Sequence, residues 1–374
     1  MGSTGESLIF PNGNGVVVAV DISEKQFKRI TEIDDARSVS LSADDTHLAV
    51  GREDGMVSIL NTEDYSVLHE VELSTENEIS KLQWCTERLA LVAVDSSGRQ
   101  FGVQVDSDVV QTEFPKLEKN VFSFHWAPHD SQMVWVLNNR TLYLTENPFT
   151  PKQVSKLNDV TITNGRGRNV IFTSDGKYII TTGAQGTQAF DRKSGELIKK
   201  ISEFPYLFIE PTNDETKIVA SRVGLPTIIF EIGSWEIQGQ LFIDNAVCAA
   251  WNPTGTKFVI GRQSNVAELE SVAVSVFDAS DPSEIKLLGE FNVPGSVFAV
   301  AWSPSGKNIV VTARAGFRDK DRVFFVDAER FEVVQAAGGL NQTGNRVKFL
   351  NDTDRVLVCG NSGLDMIDFS VKPA

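Results

Sequence analysis

Histidine, cysteine and net positive charge are what this chain of 374 residues is short of. His47, His69, His125 and His129 are all it has for imidazole acid–base work or metal ligation. Its three cysteines, Cys85, Cys248 and Cys359, are odd in number, far apart and set in apolar or strand-like surroundings. That pattern suggests neither a disulfide framework nor a zinc knuckle and predicts reduced, buried thiols. Basic residues number 35 against 50 acidic ones, a net charge of -15. Such a balance argues against nucleic acid and anionic lipid as partners, because both demand a cationic surface. No apolar run approaches the roughly 20 residues that cross a bilayer, and Leu8-Ile9-Phe10 is too short for a signal-peptide core. The expectation is a soluble intracellular protein, cytoplasmic or nuclear, in which the Asn-x-Thr triplets at Asn139, Asn341 and Asn351 are incidental.

Catalytic motifs are equally scarce. The sequence holds no Gly-x-Ser-x-Gly, Walker-type loop or zinc-protease helix motif. Gly-Asn-Gly at Gly13–Gly15 and Gly-Arg-Gly at Gly165–Gly167 lack the strand-then-helix setting that cradles phosphate, and both read as turns. His125 and His129 stand four apart, but across a strand end and a turn; a metal there would need carboxylates from neighbouring loops. The acids Asp34, Asp35, Asp44, Asp45, Asp319 and Asp321 match no calcium-loop spacing. No catalytic residue, metal or cofactor is expected.

What the chain has is a recurring phrase: a strand ending in an aromatic residue or Leu, a polar turn, then a second apolar strand. Ala301-Trp302-Ser303-Pro304-Ser305-Gly306-Lys307-Asn308-Ile309-Val310-Val311 and Ala250-Trp251-Asn252-Pro253-Thr254-Gly255-Thr256-Lys257-Phe258-Val259-Ile260 are its clearest copies. Anchored on the turn, the copies fall at Asp45, Glu87, Asp130, Gly176, Glu215, Gly255, Gly306 and Asp354. Their spacing of roughly 40 to 50 residues suits four short strands per unit. Four residues before the anchor stand Leu41, Trp126, Phe172, Trp251 and Trp302; Trp84 and Phe349 miss that phase by one, and Ile209 lies nearby in the fifth unit. One repeated packing slot between adjacent units is implied. Strands rich in Val, Ile and Phe alternate with Gly, Asn, Asp and Ser turns, Asp54-Gly55 among them, as in antiparallel sheets.

Val16–Asp21 and Gln26–Ile30 read as the third and fourth strands of a unit, while 346–350, 355–360 and 364–369 read as the first three of another. An N-terminal strand that completes the C-terminal unit would remove both exposed edges. The fold class is therefore all-β: one domain over 1–374, with a flexible stretch at 1–7, forming eight blades by repeat count, seven being the alternative.

The chain resembles a WD-repeat-type β-propeller over nearly its whole length. The matching pieces are Trp302-Ser303-Pro304-Ser305-Gly306, Thr173-Ser174-Asp175-Gly176, Asp54-Gly55, and the third strands that end in Phe190-Asp191, Phe277-Asp278 and Val326-Asp327. It has no Trp-Asp and no Gly-His pair, so the buried Asp, His and Ser/Thr network of typical WD repeats is not expected.

Seven residues past the anchor stand Arg52, Arg222 and Arg262, with Arg314 one position later in the seventh unit. Turns at one phase of a propeller emerge on one face, so these arginines are candidates for a basic ring at a mouth of the channel. Guanidinium groups grip carboxylate or phosphate bidentately. The competing expectation is pairing with local acids such as Glu53 and Asp54. Loops after Arg262 and Arg314 are lengthened (263–270 and 315–321), adding Arg318 and Lys320 to the candidate binding residues, and Pro148–Arg168 is a third long connection. It lacks the double arginine of lipid-binding propellers. The function expected is a non-catalytic interaction scaffold that binds protein or peptide partners, acidic or phosphorylated ones included, as a subunit of a larger complex. No nucleic acid or membrane insertion is expected. The alternative is a propeller enzyme, a lactonase-like hydrolase with its site in the channel mouth.

Overall fold

The computed structural model describes residues 7–11, 17–21, 36–44, 46–62, 66–85, 88–105, 109–114, 121–127, 132–137, 142–145, 154–157, 170–183, 186–206, 208–263, 271–314, 321–340, 344–349, 355–360 and 363–368. Among them lie seven four-stranded antiparallel sheets, each a simple meander. We number these blades one to seven: 36–72, 79–113, 121–157, 170–202, 208–241, 246–294 and 296–340. A three-stranded sheet follows at 344–368, its last strand Gly363–Asp368, and a two-stranded sheet precedes them. The only helical element among the described residues is one 3-10 turn, Pro282–Glu284. No helix of the described residues is long and apolar enough to cross a membrane.

The recurring phrase is a hydrogen-bonded device. The residue after the first strand donates its backbone N–H to the carbonyl of the residue five places on: Ser42 to His47, Cys85 to Ala90, Ala127 to Gln132, Thr173 to Tyr178, Thr212 to Lys217, Asn252 to Lys257 and Ser303 to Asn308, all at 2.7–3.1 Å. In five blades the side chain of that residue also accepts the N–H of the same partner, at 2.8–3.1 Å. A polar residue is therefore favoured there, since its oxygen satisfies a donor that the turn turns away from the sheet. In blades four to seven the anchor sits at positive φ: Gly176 (65°), Glu215 (50°), Gly255 (64°) and Gly306 (72°). This left-handed region favours glycine. The bonding ladder also shows why Trp84 missed the phase in sequence. In blade two the residue equivalent to the other anchors is Arg88, one place beyond Glu87.

The aromatic residue that closes the first strand fills the expected slot between blades. The indole N–H groups of Trp84, Trp126 and Trp251 donate to the carbonyls of Ser40, Gln83 and Glu210 in the preceding blade, at 2.9, 3.4 and 3.1 Å. The core is divided accordingly. Apolar clusters join blades one and two, two and three, three and four, four and five, five and six, and six and seven. Second strands such as His47–Arg52, Ala90–Asp95 and Lys257–Arg262 are buried on both faces, so they read as continuous apolar runs rather than as alternation. First strands line the inside: those of blades one and two, three and four, five and six, and six and seven lie side by side. Fourth strands form the outer edge and are mostly exposed.

At the N-terminus, β1 (Ser7–Pro11) pairs antiparallel with β2 (Val17–Asp21), in register from Ser7 opposite Asp21 to Pro11 opposite Val17. The sequence pattern identified the second of these strands and missed the first; Gln26–Ile30 lies outside the described residues. β1 runs alongside the strand Gly363–Asp368, yet no described sheet joins the two by hydrogen bonds.

Candidate functional site

In each blade the turn between second and third strands and the exit from the fourth strand share one end of the molecule, because the strands alternate in direction. The candidate arginines belong to this end. Arg52 closes the second strand of blade one, opposite Ala36, and Arg262 closes that of blade six, opposite Ala246, at the same register. Arg222 follows Ser221, which pairs with Phe208 as Gly51 pairs with Ser38. Arg314 pairs with Ser296, one residue past Ala313, which holds the phase of Arg52. The side chain of Arg314, and Arg318 and Lys320 entirely, lie outside the described residues.

Two of these arginines are neutralised in parallel ways. Arg52 donates to Asp54 at 2.6 Å and to Glu70 at 3.1 Å, and the Ser58 hydroxyl reaches the same Glu70 oxygen at 3.4 Å. Arg262 donates to Glu290 and Ser275 at 2.9 and 2.6 Å, and Ser275 donates to Glu290 at 2.6 Å. Both guanidinium groups reach across the third strand to a glutamate of the outermost strand. Glu53 bonds Arg37 instead, which also holds Glu78 at 3.0 Å. Blade two has Asp95 at this phase, buried, with Arg99 at 2.8 Å. Burial opposes ionisation of Asp95, but bonds from Ser97 and Arg99 hold its carboxyl below the ordinary carboxylate range. The slipped phase of Glu87 hid Asp95 from the sequence pattern.

Arg222 differs. Its Nη1 donates to the Pro205 carbonyl at 2.8 Å, and no carboxylate pairs with it among the described residues. The Tyr206 hydroxyl donates to the Pro226 carbonyl at 2.9 Å, tying the exit loop of blade four to the turn of blade five. Around that turn three large apolar side chains face solvent: Phe204 (51% exposed), Val223 (39%) and Phe242 (63%). The sequence pattern gave no weight to them. The detectable signal was an apolar residue placed just past a fourth strand, where the chain has already left the sheet.

The other features singled out in sequence sit as follows. Cys85 and Cys248 are free and buried, and burial pushes the Cys248 thiol up to about 12. His47 lies 6.0 Å from the Trp84 ring, centroid to centroid, and its Nδ1 is 2.6 Å from the Thr46 hydroxyl. His69 is on the exposed outer strand of blade one. His129, Gly13–Gly15, Gly165–Gly167, Asp34, Asp35, Asp45, Asp319, the extended loop 264–270, and most of the connection 148–168 are outside the described residues, as is the side chain of Cys359. No cluster of three metal-ligating side chains occurs among the described residues.

Comparison with solved structures matches this architecture to the C-terminal WD40 domain of Sif2, with a TM-score of 0.68 over 92% of this chain and 98% of that one. Saccharomyces cerevisiae Sqt1 gives 0.67 over 90% and 95%, and the β-propeller domain of Myceliophteria thermophila Cps50 (Swd1) gives 0.54 over 90% and 97%. The fold is that of a WD40 β-propeller. Identities of 14, 11 and 13% carry the likeness no further than the fold. The family model of the WD40 domain of anaphase-promoting complex subunit 4 matches residues 12–87 of this propeller. No curated protein matches its sequence.

Proposed function

We propose that this propeller is a non-catalytic scaffold that binds protein or peptide partners, acidic or phosphorylated ones included, at the end bearing the turns between second and third strands. The residues offered for that surface are Arg52, Arg222, Arg262, Arg314, Arg318 and Lys320. WD40 propellers generally serve as protein-interaction scaffolds, and the match of residues 12–87 to a domain of a complex subunit supports a setting within a larger assembly. The observation that carries the choice of surface is the shared register of Arg52 and Arg262, with Arg222 at the same phase, on a chain of net charge -15. Arg52 and Arg262 are held by carboxylates, and Arg222, which has an uncharged carbonyl for its partner, is the group that would draw an acidic segment there. The same reading takes 1–374 as one domain of eight blades, with β1 beside Gly363–Asp368 at the closing seam.

The test replaces Arg52, Arg222 and Arg262 together by Glu and compares partners recovered by affinity purification and mass spectrometry from the native cell. With the thermal melt retained, loss of recovery of specific partners is the expected result. Unchanged recovery would overturn this choice of surface.

A further inference from the structure

Thirteen large apolar side chains are conspicuously exposed among the described residues, and ten of them sit on the outermost strands: Val67, Leu68, Val110, Leu197, Ile198, Ile237, Leu287, Leu288, Val333 and Val334. The remaining three, Phe204, Val223 and Phe242, all border the single turn that carries Arg222. Their proximity follows from bonding. Phe204 precedes Pro205, whose carbonyl accepts from Arg222; Val223 follows Arg222; and Phe242 follows Leu241, which pairs with Thr227 at the far side of the turn.

The internal repeat explains why Arg222 is free to act. In blade one the arginine is followed after 6 residues by Ser58 and after 18 by Glu70, its ion-pair partner. At those offsets blade five has Ile228 and Gln240, which face each other in the same strand pairing. The glutamate that neutralises Arg52 and Arg262 is thus replaced by a neutral amide at the equivalent position of blade five. Of its five N–H donors, only Nη1 has a protein partner among the described residues, and that partner is an uncharged carbonyl. The nearby Glu203 carboxylate is engaged by Lys200. Asp244, two residues beyond Phe242, is exposed.

An unneutralised guanidinium rimmed by two aromatic rings and a valine is complementary to one ligand chemistry: a carboxylate flanked by apolar side chains. We propose that blade five binds a short extended peptide segment of a partner protein, with an acidic residue on Arg222 and neighbouring apolar residues packed on Phe204, Val223 and Phe242. The assignment rests on the reading of this end as the partner surface and names where on it, and by what chemistry, recognition occurs. The acidic residue sits on the Phe204 side, where Pro205 draws the guanidinium, and an apolar residue reaches toward Phe242.

The test uses the full chain and three sets of short fluorescent synthetic peptides. In one set a glutamate is flanked by leucine and phenylalanine; a second has lysine for the glutamate, and a third has serine for the apolar residues. Fluorescence anisotropy is expected to show the first set binding at least about tenfold more tightly than either control, a difference of about 1.4 kcal/mol. Arg222→Glu, Arg222→Gln and the pair Phe204→Ser with Phe242→Ser are each expected to weaken it by about tenfold or more, while Lys307→Glu, in an exposed turn at the opposite end, leaves it unchanged. Three results would overturn the proposal: no binding of the first set, equal binding of the lysine set, or binding indifferent to both Arg222 variants. Concentration-dependent dimers that vanish with the Phe204→Ser and Phe242→Ser pair would also overturn it, by assigning the patch to a second copy of the chain. If the triple arginine variant loses its cellular partners while Arg222→Gln keeps both partners and peptide, the general surface stands and this assignment falls.

Discussion

In five of the seven blades a single side-chain oxygen braces the turn after the first strand. Thr173 accepts from the N–H of Tyr178 and donates to Asp175 at 2.6 Å, and Ser42 and Thr212 do the same with Asp44 and Asp214. Thr173→Val is therefore expected to cost about 1 kcal/mol in urea unfolding, whereas Cys85→Val, at the same position in blade two, removes no such bond. Asp175 carries a pH dependence as well. Burial opposes its ionisation, but bonds from Lys177, Thr173 and the Lys177 backbone bring its carboxyl to about 2 from the ordinary 3.8. The folded state thus favours the charged form, so this stability is full above the unfolded value and drains as pH falls from about 4 toward 2. Thermal melts across that window are expected to fall less steeply for Asp175→Asn than for the parent chain. The tryptophans make a paired test. The Trp251 indole donates to Glu210, whereas that of Trp302 is buried with no hydrogen-bond partner among the described residues. Trp251→Phe is expected to cost about 1 kcal/mol more than Trp302→Phe, read as a difference in chemical unfolding.

Between elements, the close approach of neighbouring blades rests on missing side chains. A Cβ on Gly51 would stand 2.6 Å from Ile79 Cγ2, and one on Gly261 would stand 2.4 Å from Val297 Cγ1 and 2.7 Å from Cys248 Sγ. Gly51→Val and Gly261→Val are each expected to destabilise by about 1–3 kcal/mol, measured as a lower urea midpoint at unchanged slope. The outer strands repeat a different device. The register slips by one residue against the third strand in blades one, four, five, six and seven, leaving Leu68, Ile198, Gln238, Leu288 and Val334 unopposed. A bulge at the same place in five edges bends each one and blunts it as a template for further strands. The elements themselves were legible in sequence, because doubly covered second strands read as apolar runs and the turns demand Ser, Thr, Asn or Gly. The bulges and β1 were not. A slip of one residue breaks a period-2 pattern, but the exposed outer strands carry too little alternation for the break to stand out, and Leu8-Ile9-Phe10 is too short to announce its pairing with Val17–Asp21.

For the whole molecule, the repeat told where the arginines lie along the chain but not what neutralises them. Glu70 and Glu290 stand on outer strands, and only the folded blade brings them to Arg52 and Arg262. The exposure of Phe204 and Phe242 was hidden for a related reason: composition marks them as core residues, and burial is a property of the assembled propeller. Partner docking, as proposed, takes place at the end of the propeller bearing Arg52, Arg222 and Arg262. Its most direct test places a photo-cross-linking residue at three exposed sites in turn: Val223 at that end, Asn213 in the turn at the opposite end, and Val334 on the outer edge. Irradiation in the native cell, followed by mass spectrometry, is expected to give partner adducts at Val223 and none at Asn213. Adducts confined to Asn213 or Val334 would overturn that placement.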